Sequence, residues 1–154
     1  MSTLATADTD GLGRILLEGT GALFAYAGVG LVLFVVGFYM IDLAVPGRLI
    51  KVIREHRNPN ATLLACASLV GAGLIVAVSI FAAHGSLLEG LARVAVFGGF
   101  GIVAQTVATV IFDRLIGVSV GELADDEDDK LEPAAVLLAV ANLMIGFVTA
   151  VAVY

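Results

Sequence analysis

The chain has 154 residues, 60% of them hydrophobic and 14% charged, with a mean hydropathy of +1.04, a composition far more apolar than that of soluble domains. Its net charge of −6 argues against a nucleic-acid partner, because phosphate binding needs clustered Lys and Arg. The single cysteine, Cys66, rules out an intramolecular disulfide and a Cys-based zinc site.

The opening residues MSTLATADTDGLGR carry acids and no basic run, and the apolar stretch that follows is too long for a signal-peptide core. Residues 1–18 are read as a short N-terminal tail, and 19–154 as a four-helix transmembrane domain. The first run, about 19–41, has no charge and is long enough to cross a hydrocarbon core of roughly 30 Å as a helix. Its glycines at 21, 28, 30 and 37 form two pairs seven apart, so each pair lies near one face, where small residues let another helix approach.

Asp42 closes the span and Pro46, followed by Gly47, disfavours helical geometry at Val45. Leu49, Ile50, Val52 and Ile53 then interleave with Arg48, Lys51, Arg54 and Arg57. That pattern predicts a short amphipathic helix lying in the interface, its basic face toward anionic lipid or a partner. Asn58 reads as an N-cap with Pro59 at the first helical position.

The second span, about 62–83, is uncharged, with Gly71 and Gly73 marking a close-contact region. A short link with His84 and Glu89 leads to the third span, about 91–112. Arg93 near its start can snorkel to the interface, Gly98, Gly99 and Gly101 crowd its first half, and Gln105 lies near its middle. The third link carries five consecutive acids, Asp125 to Asp129, which repel one another and stay solvated. Pro133 opens the fourth span, about 133–154, which contains Asn142.

Sidedness follows from Lys and Arg alone. Six lie in the two long links (Arg48, Lys51, Arg54, Arg57, Arg114, Lys130) and two on the other side (Arg14, Arg93). The count predicts cytoplasmic long links and extracytoplasmic termini.

Each half reads as a span, an aspartate, a long polar link and a proline-led span. Aligning Asp42 with Asp113 brings Gly30 over Gly101, and a two-residue shift brings Ala61 over Ala134 and Gly73 over Gly146. The expected fold is therefore all-α and polytopic, with four transmembrane helices arranged as two parallel two-helix repeats. Gly30, Gly37, Gly73, Gly101 and Gly146 are the candidate helix-packing positions, and a homo-oligomer held by such faces is expected.

The strings GFYMIDLAVPGRL, RNPNATLLACASLVGAGLIVAVSI, QTVATVIFDRL and AAVLLAVANLMIGF resemble successive signatures of the YjfL-like family of bacterial inner-membrane proteins, whose function is unknown. The resemblance runs from about Gly30 onward, through the link motif of Asp42, Pro46, Gly47, Asn58 and Asn60. It implies a multi-pass protein of the bacterial inner membrane in the setting of envelope-stress proteins or ATP-grasp ligases. Glu132 and Pro133 stand where that family usually repeats an asparagine, so any role of the asparagine falls to Asn60.

His56 and His84 are predicted on opposite sides of the membrane and cannot share a metal or a proton. No Ser-His-Asp set, paired intramembrane carboxylate, phosphate-binding loop or HExxH string occurs. The expectation is no enzyme, with no catalytic residue, cofactor or metal. Gln105 and Asn142 need partners inside the bundle, because lipid offers none. Asp42 and Asp113 are expected to pair with Arg or Lys of the links, or to ring a pore mouth. Two functions follow: a scaffold whose links recruit a cytoplasmic protein, or a small oligomeric channel or transporter with Gln105 or Asn142 on its path. The scarcity of intramembrane charge favours the first.

Overall fold

A computed structural model describes residues 2–44, 53, 58–116 and 130–154. Apart from short turns at 82–86 and 130–132 and the residues at helix ends, the described residues are helical: α1 (Ser2–Ala44), α2 (Pro59–Phe81), α3 (Leu87–Arg93), a five-residue π turn (Val94–Gly98), α4 (Gly99–Ile116) and α5 (Pro133–Val153). The segments Gly11–Leu43, Pro59–Phe81, Leu87–Leu115 and Pro133–Val153 are each long and apolar enough to cross a membrane. α3, the π turn and α4 together form the third span.

Helix ends follow local chemistry. Asn58 has extended backbone (φ −64°, ψ 120°), and its side chain accepts from the N–H groups of Asn60 and Ala61 at 2.8 and 3.1 Å. Pro59 at the first helical position lacks only an N–H that would have no helical partner. Such a cap contributes about 1 kcal/mol. Pro133 opens α5 in the same way, with Glu132 at the N-cap.

The third span starts at Leu87, ahead of the expected residue 91, because Ser86 and Glu89 form a reciprocal capping box. Gly85, at φ +103°, makes the preceding turn in a conformation that favours glycine. α1 is longer than the expected first span. Residues 2–18 continue the helix, since no proline precedes position 46. Arg14 and Glu18 pair across one turn of that extension at 3.0 Å, both exposed.

α2 and α5 run side by side in the same direction. Asn60 meets Lys130 and Glu132 at one end, Gly71 and Gly146 touch in the middle, and the rings of Phe81 and Tyr154 stack at the other, 6.3 Å apart. α1 and the third span also run parallel, Tyr26 lying against Gly90, Leu33 against Gly98 and Gly37 against Ile102. All four spans therefore place their link ends together, as alternating passes through a membrane require. Leu33, Ile75, Val76, Val94, Ile102 and Ala150 form the main apolar core, and Leu64, Ala135, Leu138 and Ala139 a second cluster toward the link end.

Large apolar side chains cover the outside, among them Leu31, Phe100, Leu137 and Val148. In water such a surface would be unstable, whereas in a bilayer it faces lipid tails. Pro46, Gly47, Arg48, Lys51, Arg54 and Arg57, with the expected interfacial helix, and Asp125 to Asp129 lie outside the described residues. Ile53, which is described, packs against Ala61 and Ala65 at the start of α2.

Candidate functional site

The glycines singled out from the sequence mostly pack within the chain. A Cβ on Gly30 would meet Ile80 and Val76, at 3.2 and 3.3 Å; one on Gly37 would touch Ala72 and Ile102; one on Gly73 would touch Phe34. Gly101 is tighter, its Cβ falling 2.5 Å from Ile75 and 3.1 Å from Val153. Gly30 and Gly101, expected to hold neighbouring copies together, thus hold helices of one subunit.

Gly71 and Gly146 bring the backbones of α2 and α5 into direct contact. A Cβ on Gly71 would lie 2.5 Å from Gln105 Nε2 and 3.1 Å from the Gly146 Cα. Backbones this close leave no room for a side chain on either helix. In lipid, where apolar groups have no drive to leave the solvent, such packing is a main source of helix association.

Around this crossing lie three buried polar side chains: Ser68, Gln105 and Asn142, all under 5% exposed. Gln105 Nε2 donates to the Ser68 carbonyl at 3.1 Å, and Asn142 Nδ2 to Ser68 Oγ at 3.3 Å. α2, α4 and α5 are thereby tied at one level, about 12 Å along α2 from Asn60. Asn142 Oδ1 is buried without a hydrogen-bond partner among the described residues.

Ser68, the hub, was not singled out from the sequence. Its only signal was a hydroxyl in an uncharged span, and membrane helices hold many that merely bond their own backbone, as Ser79, Thr106 and Thr149 do here.

A second polar knot closes the link end. Asn60 is fully buried; its Nδ2 donates to the Lys130 carbonyl at 3.2 Å, and its Oδ1 accepts from the Glu132 N–H at 2.9 Å. One amide thus matches both a donor and an acceptor of the backbone entering α5. The sequence marked Asn60 as the one asparagine able to serve, without showing that it serves the other half. Asp113 Oδ1 is likewise buried, and the structure brings no described partner to it. Cys66 is exposed on the outer surface, away from this polar set.

Four apolar spans, three of them tied by amides and a hydroxyl at their crossing, define an integral, multi-pass membrane protein. The chain belongs to the family described as Domain of Unknown Function (DUF350), which matches residues 15–153. It is 34% identical over 138 residues to a UPF0719 transmembrane protein of Mycolicibacterium paratuberculosis, covering 90% of each chain. It is also 34% identical over 137 residues to UPF0719 transmembrane proteins of Mycobacterium bovis and Mycobacterium tuberculosis, covering 89% of each. No solved structure matches.

Proposed function

We propose that the protein is a non-enzymatic membrane scaffold that binds a soluble protein at the end carrying its two long links. The closed Gly71–Gly146 crossing carries this reading: it packs α2 directly on α5, and the adjacent amide N–H groups of Gln105 and Asn142 are spent on holding helices. What the bundle then offers is a rigid platform, with Asn60 fixing the exit of the second link. The reading includes the cytoplasmic side of a bacterial inner membrane for the links, extracytoplasmic termini, a basic interfacial helix in the first link facing anionic lipid, and envelope-stress proteins as partners of a YjfL-like member. The homo-oligomer is part of it too, supported by α1, the least covered span.

Two parallel repeats also belong to this reading, and paired contacts support them. Gly30 meets Ile80 as Gly101 meets Val153, and Gly73 meets Phe34 as Gly146 meets Gln105. Gly30 to Gly101 and Phe34 to Gln105 are each 71 residues apart, and Gly73 to Gly146 and Ile80 to Val153 are each 73 apart.

A small channel or transporter is the second reading, favoured by Asn142 Oδ1, a polar atom buried inside the bundle with no hydrogen-bond partner among the described residues. Photocrosslinkers at Arg48 and Arg54, followed by pull-down from native membranes, test the scaffold. Capture of a soluble protein supports it. No capture at any link position, together with proteoliposome flux that Gln105→Leu abolishes, overturns it in favour of the channel.

A further inference from the structure

We propose that a file of water enters the bundle at its link end, follows one side of α4 and ends against Asn142. Polar atoms along that course lack a protein partner, and lipid offers none. Asn142 is 2% exposed and its Oδ1 is buried with no hydrogen bond among the described residues; at the link end Asp113 Oδ1 is in the same state. Burying such an oxygen without a donor is costly enough that water commonly meets it.

Gln105, Thr109 and Asp113 follow one another at intervals of four residues, so they form a row along one side of α4, rising about 6 Å per step. Thr109 and Asp113 are half-buried. Val107 and Ile111, on the opposite side, are 52% and 53% exposed and face lipid. The polar row is therefore turned into the bundle, where Gln105 already reaches Ser68.

Two hydroxyls mark the same course. Thr62, Ser79, Thr106 and Thr149 each donate to the carbonyl four residues back, a common way for a hydroxyl in a membrane helix to be satisfied. Among the described residues Thr109 makes no such bond, and Ser68 Oγ only accepts, from Asn142 Nδ2. Both keep a free O–H near oxygens that lack a donor. Water serves both kinds of group, donating to the amide and carboxylate oxygens and accepting from the hydroxyls, whereas a metal cation accepts nothing. One water with two bonds of about 2.8 Å joins oxygens about 5.6 Å apart, close to the step of the row. Beyond Ser68 the course is blocked, since Gly71 and Gly146 bring two backbones into contact one turn further along α2. Such a file hydrates the platform without crossing the membrane.

The test places single cysteines in a Cys66→Ser background of the full chain, in nanodiscs that expose both faces, and measures their reaction with a small hydrophilic methanethiosulfonate. The thiolate is the reacting form, and thiols in apolar surroundings stay protonated. Thr109→Cys and Ser68→Cys, both close in size to the residue replaced, should react about tenfold or more faster than Val107→Cys and Ile111→Cys. Adding Asp113→Leu, which dries the entrance, should slow Thr109→Cys several-fold, while Asp113→Asn, which keeps an acceptor, should leave its rate unchanged. Rates at Thr109→Cys or Ser68→Cys no higher than at the two lipid-facing positions would overturn the proposal, as would a rate at Thr109→Cys indifferent to Asp113→Leu. Fast reaction at Ser79→Cys would place water beyond the crossing and overturn its closed end.

Discussion

Asn60→Ala is the most informative single perturbation, because one side chain joins the start of α2 to the start of α5. The substitution removes the bonds to the Lys130 carbonyl and from the Glu132 N–H. Each is worth about 0.5–1.5 kcal/mol net, so the expected loss is about 1–3 kcal/mol. For a chain of this size that lowers the melting temperature by about 2–4 °C per kcal/mol. Trypsin gives a local readout, since it cuts after Lys130, whose carbonyl Asn60 holds. If cleavage follows local opening, a loss of 1–2 kcal/mol raises its rate about 5- to 30-fold. Equal cleavage of wild type and Asn60→Ala, measured in detergent well below both melting points, refutes the tether.

Gly71→Ala should destabilise the bundle by about 1–3 kcal/mol, as its Cβ meets Gln105 and the Gly146 backbone. Gly99→Ala, with nothing within 4 Å, should be neutral or stabilising by up to about 1 kcal/mol; thermal melts of the two check the contrast. Gln105→Leu should cost about 0.6–1.7 kcal/mol through the lost bond to Ser68, and an unaltered melt would show that bond to be dispensable. Cysteines at Ser2 and Ser86 in a Cys66→Ser background should react with an impermeant thiol reagent in intact cells while one at Asn58 does not; the opposite pattern inverts the topology.

The spans were legible because uncharged runs of helical length have one solution in lipid, and the start of α2 because Asn58 and Pro59 state it chemically. The length of α1 was not, since a stretch with scattered charges and no proline is helical or not according to its continuation from a stable span. Nor does sequence say which way a glycine faces. Gly28 and Gly30 lie two residues apart, yet Gly30 packs on Val76 and Ile80 while Gly28 opens onto a groove. That difference is set by where three other helices stand. Gln105 and Asn142 were legible as amides needing partners, but the partner, Ser68, became identifiable only when α2, α4 and α5 were packed together.

On the two-repeat reading, the polar groups lie where the halves differ. Phe34 covers Gly73 in the first half, and Gln105 takes the matching place over Gly146 in the second. An aromatic ring there needs no partner, whereas an amide does, and Gln105 finds it on Ser68, in the other half. Asn60 works in reverse: it belongs to the first half, and its two bonds go to the entrance of the second, where Pro133 occupies the place matching Asn60. Each half thus supplies a hydrogen bond to the other that its counterpart cannot return. Two copies of the first half would lose the Gln105 bond, and two copies of the second would lose both bonds from Asn60.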